Sequence, residues 1–551
     1  MTTIRSAGDA ALLVQVDGPA SGDPLDGNEA AKLAAAIGAA ALRGVTDVVP
    51  GACTVLVRFE PGSWAPADLA GQLCRIAGAP LPGLAGVREP ALVLDTWYDG
   101  PDLPGVAALT GLSVGEVIRR HEAAEYRVGW LGFSPGFGYL TGLDPLLAAA
   151  PRLDSPRLAV PAGSVAIAGG LAAVYPAASP GGWQLIGRTD AVLWDVGRNP
   201  PALFAPGRRV RFRSVTGPSP VTLMSPVSRP SPVTPASPVT LMSPVTPASP
   251  ATPRLVQVLQ PGPLATVQDL GRPGFAHVGV PRSGAADQGA LRLANRLAGN
   301  DDAAACLEAT LGRLALRFDF DAIVALTGAP APVSLSPGGD QAHETAFAVP
   351  AGSVLRLGSP AAGLRSYLAI AGGIDIPPVL GSRSADLLSG LGPAPLRPGE
   401  WLPVGRLRSR PDGPAPATRD RAARAPHAAA RVVLRAAAGP RDDWFEPSAV
   451  ATLTGGSYQV SAASNRTALR LTGPALRPVS AGELPSEGVT AGSLQVSHDG
   501  QPILLLADHP ATGGYPVIAV VVTADLGLAA QLRPGQQVRF AVGPASGSAR
   551  L

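Results

Sequence analysis

The stretch 179-SPGGWQLIGRTD-190 places two glycines and a tryptophan directly before a short apolar run. Consecutive glycines favour a tight turn, and the run after them has the composition of a β-strand. The same order of features occurs in 511-ATGGYPVIAVVVTAD-525. One β-fold used twice along the chain would explain this repetition.

The segments around the two copies also match. A small-residue turn into a strand precedes each copy, at Gly163-Ser164 and Gly492-Ser493, and a Pro-Gly turn with a closing V-R-F strand follows. Short β-branched runs such as TVLVRF, AIVALTG and PILLLAD, bounded by Gly and Pro, fill much of the chain. Helical patterns are confined to residues 29–42, 114–124 and 284–297, and Ser113 with Glu116 forms the expected N-cap of the second. The pattern predicts a mostly β fold with some α (α+β), built from barrels or sandwiches.

A Pro-rich segment divides the chain. Residues 214–253 contain PVTLMSPV twice, and prolines this dense favour an extended spacer over a folded element. We therefore predict an N-terminal module at residues 1–213, a Pro/Ser/Thr-rich linker at 214–253, and a C-terminal module at 254–551.

Composition excludes several classes of function. The 551 residues carry a net charge of +3, with 15% charged residues, which does not indicate a nucleic-acid surface. The apolar runs are too short to span a bilayer, the N-terminus lacks the features of a signal peptide, and the three cysteines are widely spaced. A cytoplasmic protein is expected, and a homo-oligomer is compatible with the sequence.

The chain has a single lysine, Lys32, which lies in an alanine-rich segment. A P-loop needs a lysine in a glycine-rich motif, and Lys32 has no such motif around it. A Schiff-base lysine or a Ser–Lys amidase pair is excluded for the same reason. Bound anions would have to be held by arginines and backbone N–H groups.

The stretch 132-GFSPGFGYL-140 combines three glycines with Phe133, Phe137 and Tyr139. It predicts either a rigid loop whose rings form the wall of a pocket for a small planar ligand, or ordinary core residues of a kinked strand. Its G-x-S-x-G pattern does not favour a nucleophile elbow. Pro135 follows the serine and lacks the N–H that an oxyanion hole requires.

Other polar candidates lie near predicted turns. His121 is on a predicted helix and is either an acid–base residue or a structural one. Arg188, after the 179–183 turn, could clamp an anion or form a salt bridge with Asp190. The stretch 266-TVQDLGRPGFAHVGVPRSGAAD-287 is the densest polar segment of the C-terminal module. The spacing of His and Cys predicts no metal site.

Two groups of motifs carry a family resemblance. GFSPGFGYL, VPAGSVAIAGG and SPGGWQLIGRT make the N-terminal module resemble the B subunit of 5-oxoprolinase, whose family is also called allophanate hydrolase subunit 1. TVQDLGRPGFAHVGVPRSGAAD, YLAIAGGIDIPPVLGSRS and ADHPATGGYPVIAVVVTADL make the C-terminal module similar to the C subunit of 5-oxoprolinase. The chain thus resembles a fusion of the two subunits, similar also to the carboxyltransferase region of urea carboxylase.

The resemblance implies cyclophilin-like β-barrel domains in both modules. It also implies ATP-dependent opening of 5-oxo-L-proline (pyroglutamate) to L-glutamate, with Mg²⁺ and with the separate 5-oxoprolinase A subunit, or a protein like it, in the role of partner. The matching positions implied to be catalytic are His121, Tyr139, Asp269, Asp287, Glu487 and Asp508. Those implied to bind substrate or ATP are Phe137, Ser179, Gly181, Gly182, Trp183, Arg188, Arg272, Ser283, Arg383, Ser384, Ser486, Gln495, Thr512, Gly513, Gly514 and Tyr515.

The sequence departs from the family pattern at three places. Leu171 stands where the family commonly has Gln, 464-SNRTALRL-471 replaces a usual Met-Gly pair, and 509-HPA-511 replaces Arg-Gln-Thr. These changes alter the polarity of the expected cleft and leave the exact substrate open. The resemblance also leaves two alternative functions open. One is a carboxyltransferase-type module acting on urea or a related amide, and the other is a regulator of a sensor histidine kinase.

Overall fold

The computed structural model describes residues 3–16, 28–216, 254–406, 431–479 and 484–543. Most of the predicted linker, from residue 217 to 253, lies outside the described residues. Strands outnumber helices along the described chain, which confirms the mostly β prediction. Among these residues, no helix is both long and apolar enough to cross a bilayer.

The chain begins with a small antiparallel sheet covered by two helices. The sheet has the strand order β1-β2-β4-β3. Leu69 and Leu73 of the second helix pack with Leu33 and Ile37 of the first on its apolar face. The elements are β1 (Thr3–Ser6), β2 (Ala11–Gln15), α1 (Glu29–Ala39), β3 (Val45–Pro50), β4 (Thr54–Phe59) and α2 (Pro66–Ala77).

A seven-stranded sheet in the order β12-β9-β10-β7-β6-β13-β5 follows in the N-terminal module. Its elements are β5 (Leu92–Thr96), α3 (Leu103–Thr110), α4 (Val114–Ala123), β6 (Tyr126–Leu131), β7 (Gly138–Thr141), β8 (Arg157–Val160), β9 (Ser164–Ala168), β10 (Leu171–Val174), β11 (Ser179–Gly181), β12 (Gln184–Arg188) and β13 (Arg209–Ser214). Ser113 caps α4 as predicted, because its side chain accepts a hydrogen bond from the Glu116 N–H. Paired backbone hydrogen bonds between Trp97 and Arg188, both 2.9 Å, join the two ends of the sheet.

The C-terminal module begins with two sheets that share one apolar core. Their strand orders are β20-β19-β22-β17-β14-β24 and β15-β16-β23-β18-β21. The elements are β14 (Leu255–Gln260), β15 (Leu264–Gln268), α5 (Gln288–Ala298), β16 (Cys306–Thr310), β17 (Ala315–Phe318), β18 (Ala322–Gly328), β19 (Val333–Ser336), β20 (Gly339–Gln341), β21 (Ala346–Val349), β22 (Val354–Leu357), β23 (Arg365–Ile370) and β24 (Trp401–Pro403). The helix predicted at residues 284–297 is present as α5, but it begins at Gln288, because Asp287 is its N-cap.

The module ends in a closed barrel with the order β25-β32-β29-β30-β27-β26-β33. Its elements are β25 (Val432–Ala438), α6 (Ala449–Gly455), β26 (Tyr458–Val460), β27 (Ala468–Thr472), β28 (Glu487–Gly488), β29 (Ser493–Val496), β30 (Pro502–Leu505), β31 (Thr512–Gly513), β32 (Val517–Val521), α7 (Leu526–Ala530) and β33 (Gln537–Gly543). A separate two-stranded pair, β28-β31, lies beside it.

The two seven-stranded units have the same topology. The barrel order, started from β32, is β32-β29-β30-β27-β26-β33-β25, which matches β12-β9-β10-β7-β6-β13-β5 strand for strand. Both closing V-R-F strands pair in parallel with the first strand of their unit, β13 with β5 and β33 with β25. The predicted duplication is confirmed.

The modules contact each other directly. Phe133 N–H donates to Thr512 Oγ1 at 2.8 Å, and Gly274 N–H donates to Asp47 Oδ1 at 2.8 Å. Gly136 N–H donates to the Val278 carbonyl at 3.0 Å. This interface therefore positions the loop around Phe133 in the N-terminal module and Thr512 in the C-terminal module.

Candidate functional site

Asp269 organises two loops of the C-terminal module. Its Oδ1 accepts hydrogen bonds from Ser382 Oγ and Ser384 Oγ, both at 2.6 Å, and from Gly271 N–H at 2.8 Å. Its Oδ2 accepts from Arg383 N–H at 2.6 Å. Because the loops themselves supply these four donors, Asp269 and Ser384 hold the loop geometry rather than present free groups to a ligand.

The Arg383 side chain points away from Asp269. Its guanidinium donates to the Ile376 carbonyl at 2.6 Å and to Asp375 at 2.8 Å. Its backbone N–H, and not its charge, therefore connects it to the Asp269 loops.

Arg272 lies buried beneath the same loops, with 1% of its surface exposed. Its Nη2 donates to the Ser384 carbonyl and its Nε to the Val379 carbonyl, while its Nη1 has no hydrogen-bond partner among the described residues. Burial lowers the pKa of Arg272, and the nearby Asp386, Asp269 and Asp508 oppose this effect. Nη1 is a buried donor that a ligand or water could satisfy.

Ser283 and Asp508 form the centre of a second polar group. Ser283 Oγ donates to Asp508 Oδ1 at 2.6 Å, and the Ser283 backbone has a φ of 58°, in the region that L-residues rarely adopt. Such backbone strain is concentrated at functional sites. Burial, followed by the charge of Asp508, raises the pKa of Asp386 to about 6.

A buried ion network holds Asp508 in place. Arg466 Nε donates to Asp508 Oδ2 at 2.9 Å, and Arg466 Nη1 donates to Glu308. Tyr367 Oη donates to Glu308 Oε2 at 2.8 Å. Burial alone would raise the pKa of Glu308, but Arg466 and Arg365 outweigh burial and lower it.

Asp287 connects this region to a cavity of about 700 Å³. Its Oδ1 caps α5 through Ala290 N–H at 3.0 Å, and its Oδ2 accepts from Gln531 Nε2 at 3.0 Å. Burial raises the pKa of Asp287. The cavity, which we call the inter-module cavity, lies between the small sheet of the N-terminal module and the C-terminal module. Its polar and charged lining residues are Asp9, Thr46, Arg58, Glu60, Arg282, Ser283, Asp287, Gln288, Arg292, Arg296, Thr490, His509 and Thr523.

The rings of GFSPGFGYL belong to a packed aromatic cluster of the N-terminal module. Phe137 makes edge-to-face contacts with Tyr139, Tyr175 and Trp183 at centroid distances of 5.0, 5.2 and 5.9 Å. Phe137, Tyr139 and Trp183 are all buried. The alternative of ordinary core residues therefore describes Phe137 best.

The glycines of this stretch are needed for close packing rather than for an open loop. A Cβ on Gly132 would lie 2.3 Å from Thr512 Oγ1, and one on Gly138 would lie 2.5 Å from the Phe204 ring. The 179–183 turn is equally tight, since a Cβ on Gly181 would lie 2.2 Å from Tyr175 Oη. Gly132 therefore allows close contact with the C-terminal module, and Gly138 and Gly181 allow close packing within the N-terminal module.

Residues of the C-terminal barrel cover the aromatic cluster. Burial raises the pKa of Tyr139, and the hydroxyls of Ser486 and Thr512 oppose this effect. Gln495 Nε2 donates to the Tyr515 carbonyl at 3.1 Å, close to Gly513.

Glu487 lies on the same covering strands. Its Oε2 accepts from Arg441 Nε at 2.9 Å, whereas its buried Oε1 has no partner among the described residues. Burial raises the pKa of Glu487, and Arg441 opposes it.

Other candidate residues are not brought to these groups. His121 is fully buried in the core of the N-terminal module, where Nδ1 lies 2.8 Å from Tyr98 Oη and the ring packs against Phe212. Burial lowers its pKa to about 3. Arg188 bonds to Asp99 at 2.5 Å rather than to Asp190.

Two further candidates lie at the edges of the turns. Ser179 is on the half-buried strand β11. The half-buried Gly514 lies near the Leu484 carbonyl and Arg152.

Arg58, Glu308 and Arg466 were not predicted as site residues from the sequence. Arg58 and Glu308 lie in the fully or largely buried strands β4 and β16. A charged residue inside an apolar strand pattern could have indicated Arg58 and Glu308, because charged side chains are rarely buried unless they are paired. Arg466 lies in one of the segments that depart from the family pattern.

The described residues contain no group of three His, Cys, Asp or Glu side chains that could hold a metal ion. Mg²⁺ commonly binds through substrate phosphates and only one or two carboxylates, so it does not require such a group. The arginines of the inter-module cavity suit a phosphate-bearing ligand.

Comparisons with known proteins match both modules. The family described as carboxyltransferase domain, subdomain C and D, matches residues 2–204, and subdomain A and B matches residues 278–542. The 5-oxoprolinase C subunit of Escherichia coli strain K12 is 39% identical over 295 residues, which are 52% of this chain and 90% of that protein. The 5-oxoprolinase B subunit of E. coli O157:H7 is 54% identical over 113 residues, 20% of this chain and 51% of that protein.

Two further relatives extend the comparison. Urea amidolyase of Lachancea kluyveri is 32% identical over 312 residues, 52% of this chain but 17% of that protein. The crystal structure of TTHA0988 has a TM-score of 0.80 and 34% identity, and the match covers 98% of this chain and 100% of that one. The two-module arrangement is thus shared along the whole length of a solved structure.

Proposed function

Because the chain belongs to the carboxyltransferase-domain family that includes the B and C subunits of 5-oxoprolinase, we propose that it supplies both subunits of an ATP-dependent 5-oxoprolinase. The reaction converts 5-oxo-L-proline, ATP and water to L-glutamate, ADP and phosphate, together with a separate A subunit. The observation that carries this proposal is the similarity of one chain to both subunits, with the two modules packed against each other.

Activation of the lactam would make this reaction feasible. Transfer of the γ-phosphoryl group to the lactam oxygen releases ADP and leaves the ring carbon open to attack by water. Loss of phosphate and cleavage of the C–N bond then open the ring, and the nitrogen takes up a proton as the amine of glutamate. Charge develops on oxygen in these steps, and buried guanidinium and N–H donors are the groups that stabilise such charge.

Ser283, Asp508 and Arg272 are the residues that we assign to this chemistry. Ser283 and Asp508 share a hydrogen bond beside the inter-module cavity, and Arg272 offers an unsatisfied buried N–H nearby. Mg²⁺, if carried on the phosphates of ATP, would neutralise part of their charge.

The experiment is to combine the purified chain with a homologue of the 5-oxoprolinase A subunit, ATP, Mg²⁺ and 5-oxo-L-proline, and to measure glutamate and ADP. We expect turnover only in the complete mixture, with either protein alone inactive. An exposed-residue variant such as Arg356→Gln should match the wild type, while Ser283→Ala should lower kcat. If 5-oxo-L-proline does not stimulate ATP hydrolysis in the complete mixture, the proposal fails.

The similarity to urea amidolyase favours a second candidate, a carboxyltransferase module acting on urea or a related amide. This activity would need a separate biotin carrier, because the chain has no lysine in a carrier motif. Carboxylation of urea by the chain with a biotinylated carrier would distinguish it from lactam hydrolysis.

A regulator of a sensor histidine kinase is less consistent with the fusion. A tether keeps both modules at a high effective concentration, which suits two subunits that act together.

A further inference from the structure

Two arginines from different modules share a wall of the inter-module cavity. Arg58 lies on β4 of the N-terminal module and is 6% exposed, and the half-buried Arg282 precedes Ser283 in the C-terminal module. The Nε–H groups of both side chains are buried and have no hydrogen-bond partner among the described residues. The wall therefore contains two guanidinium groups, each with a buried Nε–H that no described residue satisfies.

The two guanidinium groups are close enough to affect each other. Burial lowers the pKa of Arg58; Asp47 opposes this effect, whereas Arg282 adds to it. Asp47 is ion-paired with Arg58, with its Oδ2 at 3.8 Å from Arg58 Nη1, while its Oδ1 accepts from Gly274 N–H. One carboxylate therefore lies beside two guanidinium groups, which leaves an excess positive charge. The Arg58 Nη2 donates to the Val489 carbonyl at 2.7 Å.

The acids that line the cavity do not neutralise this pair. Asp9 accepts three hydrogen bonds from Thr523, at 2.9 to 3.0 Å, and Asp287 caps α5. Glu60 is exposed. His509 lies on the same wall, where burial and then Arg58 lower its pKa to about 3, so it adds no charge near neutral pH.

The geometry points to a phosphate group as the missing partner, and we propose that Arg58 and Arg282 together bind the phosphate of a ligand in the inter-module cavity. A phosphate carries enough charge and acceptors for two guanidinium groups, and arginine is well suited to it. The first turn of α5 also lines the cavity, and the positive end of a helix dipole favours an anion, although Asp287 already accepts from the Ala290 N–H of this turn. A volume of about 700 Å³ accommodates a ligand larger than free phosphate.

This inference rests on the proposed function for its natural ligand, a nucleotide or a phosphorylated lactam, but binding can be measured on the chain alone. The same phosphate would touch both modules at once. Ligand binding should therefore stabilise the folded two-module unit against heat.

The experiment measures binding of inorganic phosphate, MgATP and 5-oxo-L-proline to the full chain by calorimetry, with thermal unfolding as a second readout. We expect phosphate and MgATP to bind and to raise Tm, and Arg282→Gln to weaken both by about tenfold or more. Arg356→Gln, which replaces an exposed arginine of β22, should bind like the wild type. Arg58→Lys should also weaken binding. If Arg58 variants fail to fold, Arg282→Gln still tests the proposal, because Arg282 is only half-buried.

The outcomes separate the sources of the phosphate. Binding of phosphate without MgATP assigns the site to a free or small phosphorylated ligand, and binding of both assigns it to a nucleotide. Equal binding by the wild type and Arg282→Gln would overturn the proposal, as would binding of 5-oxo-L-proline but not phosphate. Turnover in the complete enzyme mixture despite no phosphate binding would leave the proposed function standing and refute this site alone.

Discussion

Arg466 connects the two-sheet part of the C-terminal module to the closed barrel. It donates hydrogen bonds to Glu308 on β16, in the two-sheet part, and to Asp508, which follows β30 of the barrel. All three side chains are at least 98% buried. Loss of the arginine would leave two carboxylates uncompensated in the interior, which is costly, whereas an intact pair contributes little net stability.

We predict that Arg466→Met lowers the free energy of unfolding by about 3–5 kcal/mol, because it breaks this buried network. Arg470→Met is the matched control, since Arg470 is exposed on the next strand and should change stability by no more than about 0.5 kcal/mol. Urea unfolding of both variants measures the difference. Equal midpoints for Arg466→Met and Arg470→Met would show that the network is not stabilised by its arginine.

His121 should make stability depend on pH. Burial lowers its pKa to about 3, from 6.5 in an unfolded chain. Below pH 6.5 His121 takes up a proton in the unfolded chain but not in the folded chain. The contribution of His121 to the free energy of unfolding therefore falls as pH decreases, by about 1.4 kcal/mol per pH unit. His121→Gln should remove this part of the slope between pH 6.5 and 5, measured by urea unfolding.

The control for this prediction is His498→Gln, because His498 is exposed. It should keep the slope of the wild type. His509 also has a pKa lowered to about 3, so a residual slope is expected in both variants. An unchanged slope in His121→Gln would contradict the burial of a neutral imidazole.

Individual residues were predictable to different degrees. The motifs around Ser283, Asp287 and Asp508 predicted organised loops, because Gly/Pro-framed polar segments mark such loops, and the roles of the three residues stay predictions. Arg58 was not predicted, since a strand pattern shows that a residue is buried but not which module packs on it. For His121 the acid–base and structural alternatives both stayed open, because a helical position does not reveal that the ring faces the core of the N-terminal module.

At the scale of elements, α5 depends on Asp287 for its first turn. The Ala290 N–H that Asp287 caps is buried, so water replaces the carboxylate less readily there than at an exposed cap. We predict that Asp287→Ala costs more than about 1 kcal/mol, the usual loss for an N-cap. Ser113→Ala in α4 is the comparison, because the Glu116 N–H that it caps is at an exposed position and can bond to water.

Thermal or urea unfolding of the two cap variants tests this prediction. A loss in Asp287→Ala no larger than that in Ser113→Ala would contradict it. Asp287→Asn should fall between Asp287→Ala and the wild type, since the amide keeps one acceptor oxygen while Ala290 and Gln531 need two.

The strands and helices also show which structural features local sequence patterns predict and which they do not. The repeated Gly-Gly-aromatic and V-R-F segments predicted the duplication, because closing strands and turns leave local signals. The parallel pairing of β13 with β5 and of β33 with β25 was not predictable, since partners so distant in sequence leave no local pattern. Helix α2 was missed although Pro66 at its start and the Leu69–Leu73 spacing are typical of a helix.

At the scale of the whole molecule, we expect the non-covalent interface, rather than the covalent linker, to keep the two modules assembled. Backbone donors of each module bond to acceptors of the other at Thr512, Asp47 and Val278. The inter-module cavity exists only while these contacts hold its two walls together. We therefore expect the modules to stay assembled without the covalent linker once the chain has folded.

We predict that a chain carrying a specific protease site within residues 217–253 stays a single species after cleavage, as measured by size-exclusion chromatography at micromolar concentration. Asp47→Ala should make the cleaved chain dissociate more readily, because it removes the acceptor of Gly274 N–H and leaves Arg58 without its nearest acid. Asp95→Ala is the control, since Asp95 pairs with Arg213 inside one module. Separation of the cleaved wild type into two species would show that the linker, and not the interface, holds the modules together. If Arg58 and Arg282 bind phosphate jointly, added phosphate should delay dissociation of the cleaved chain.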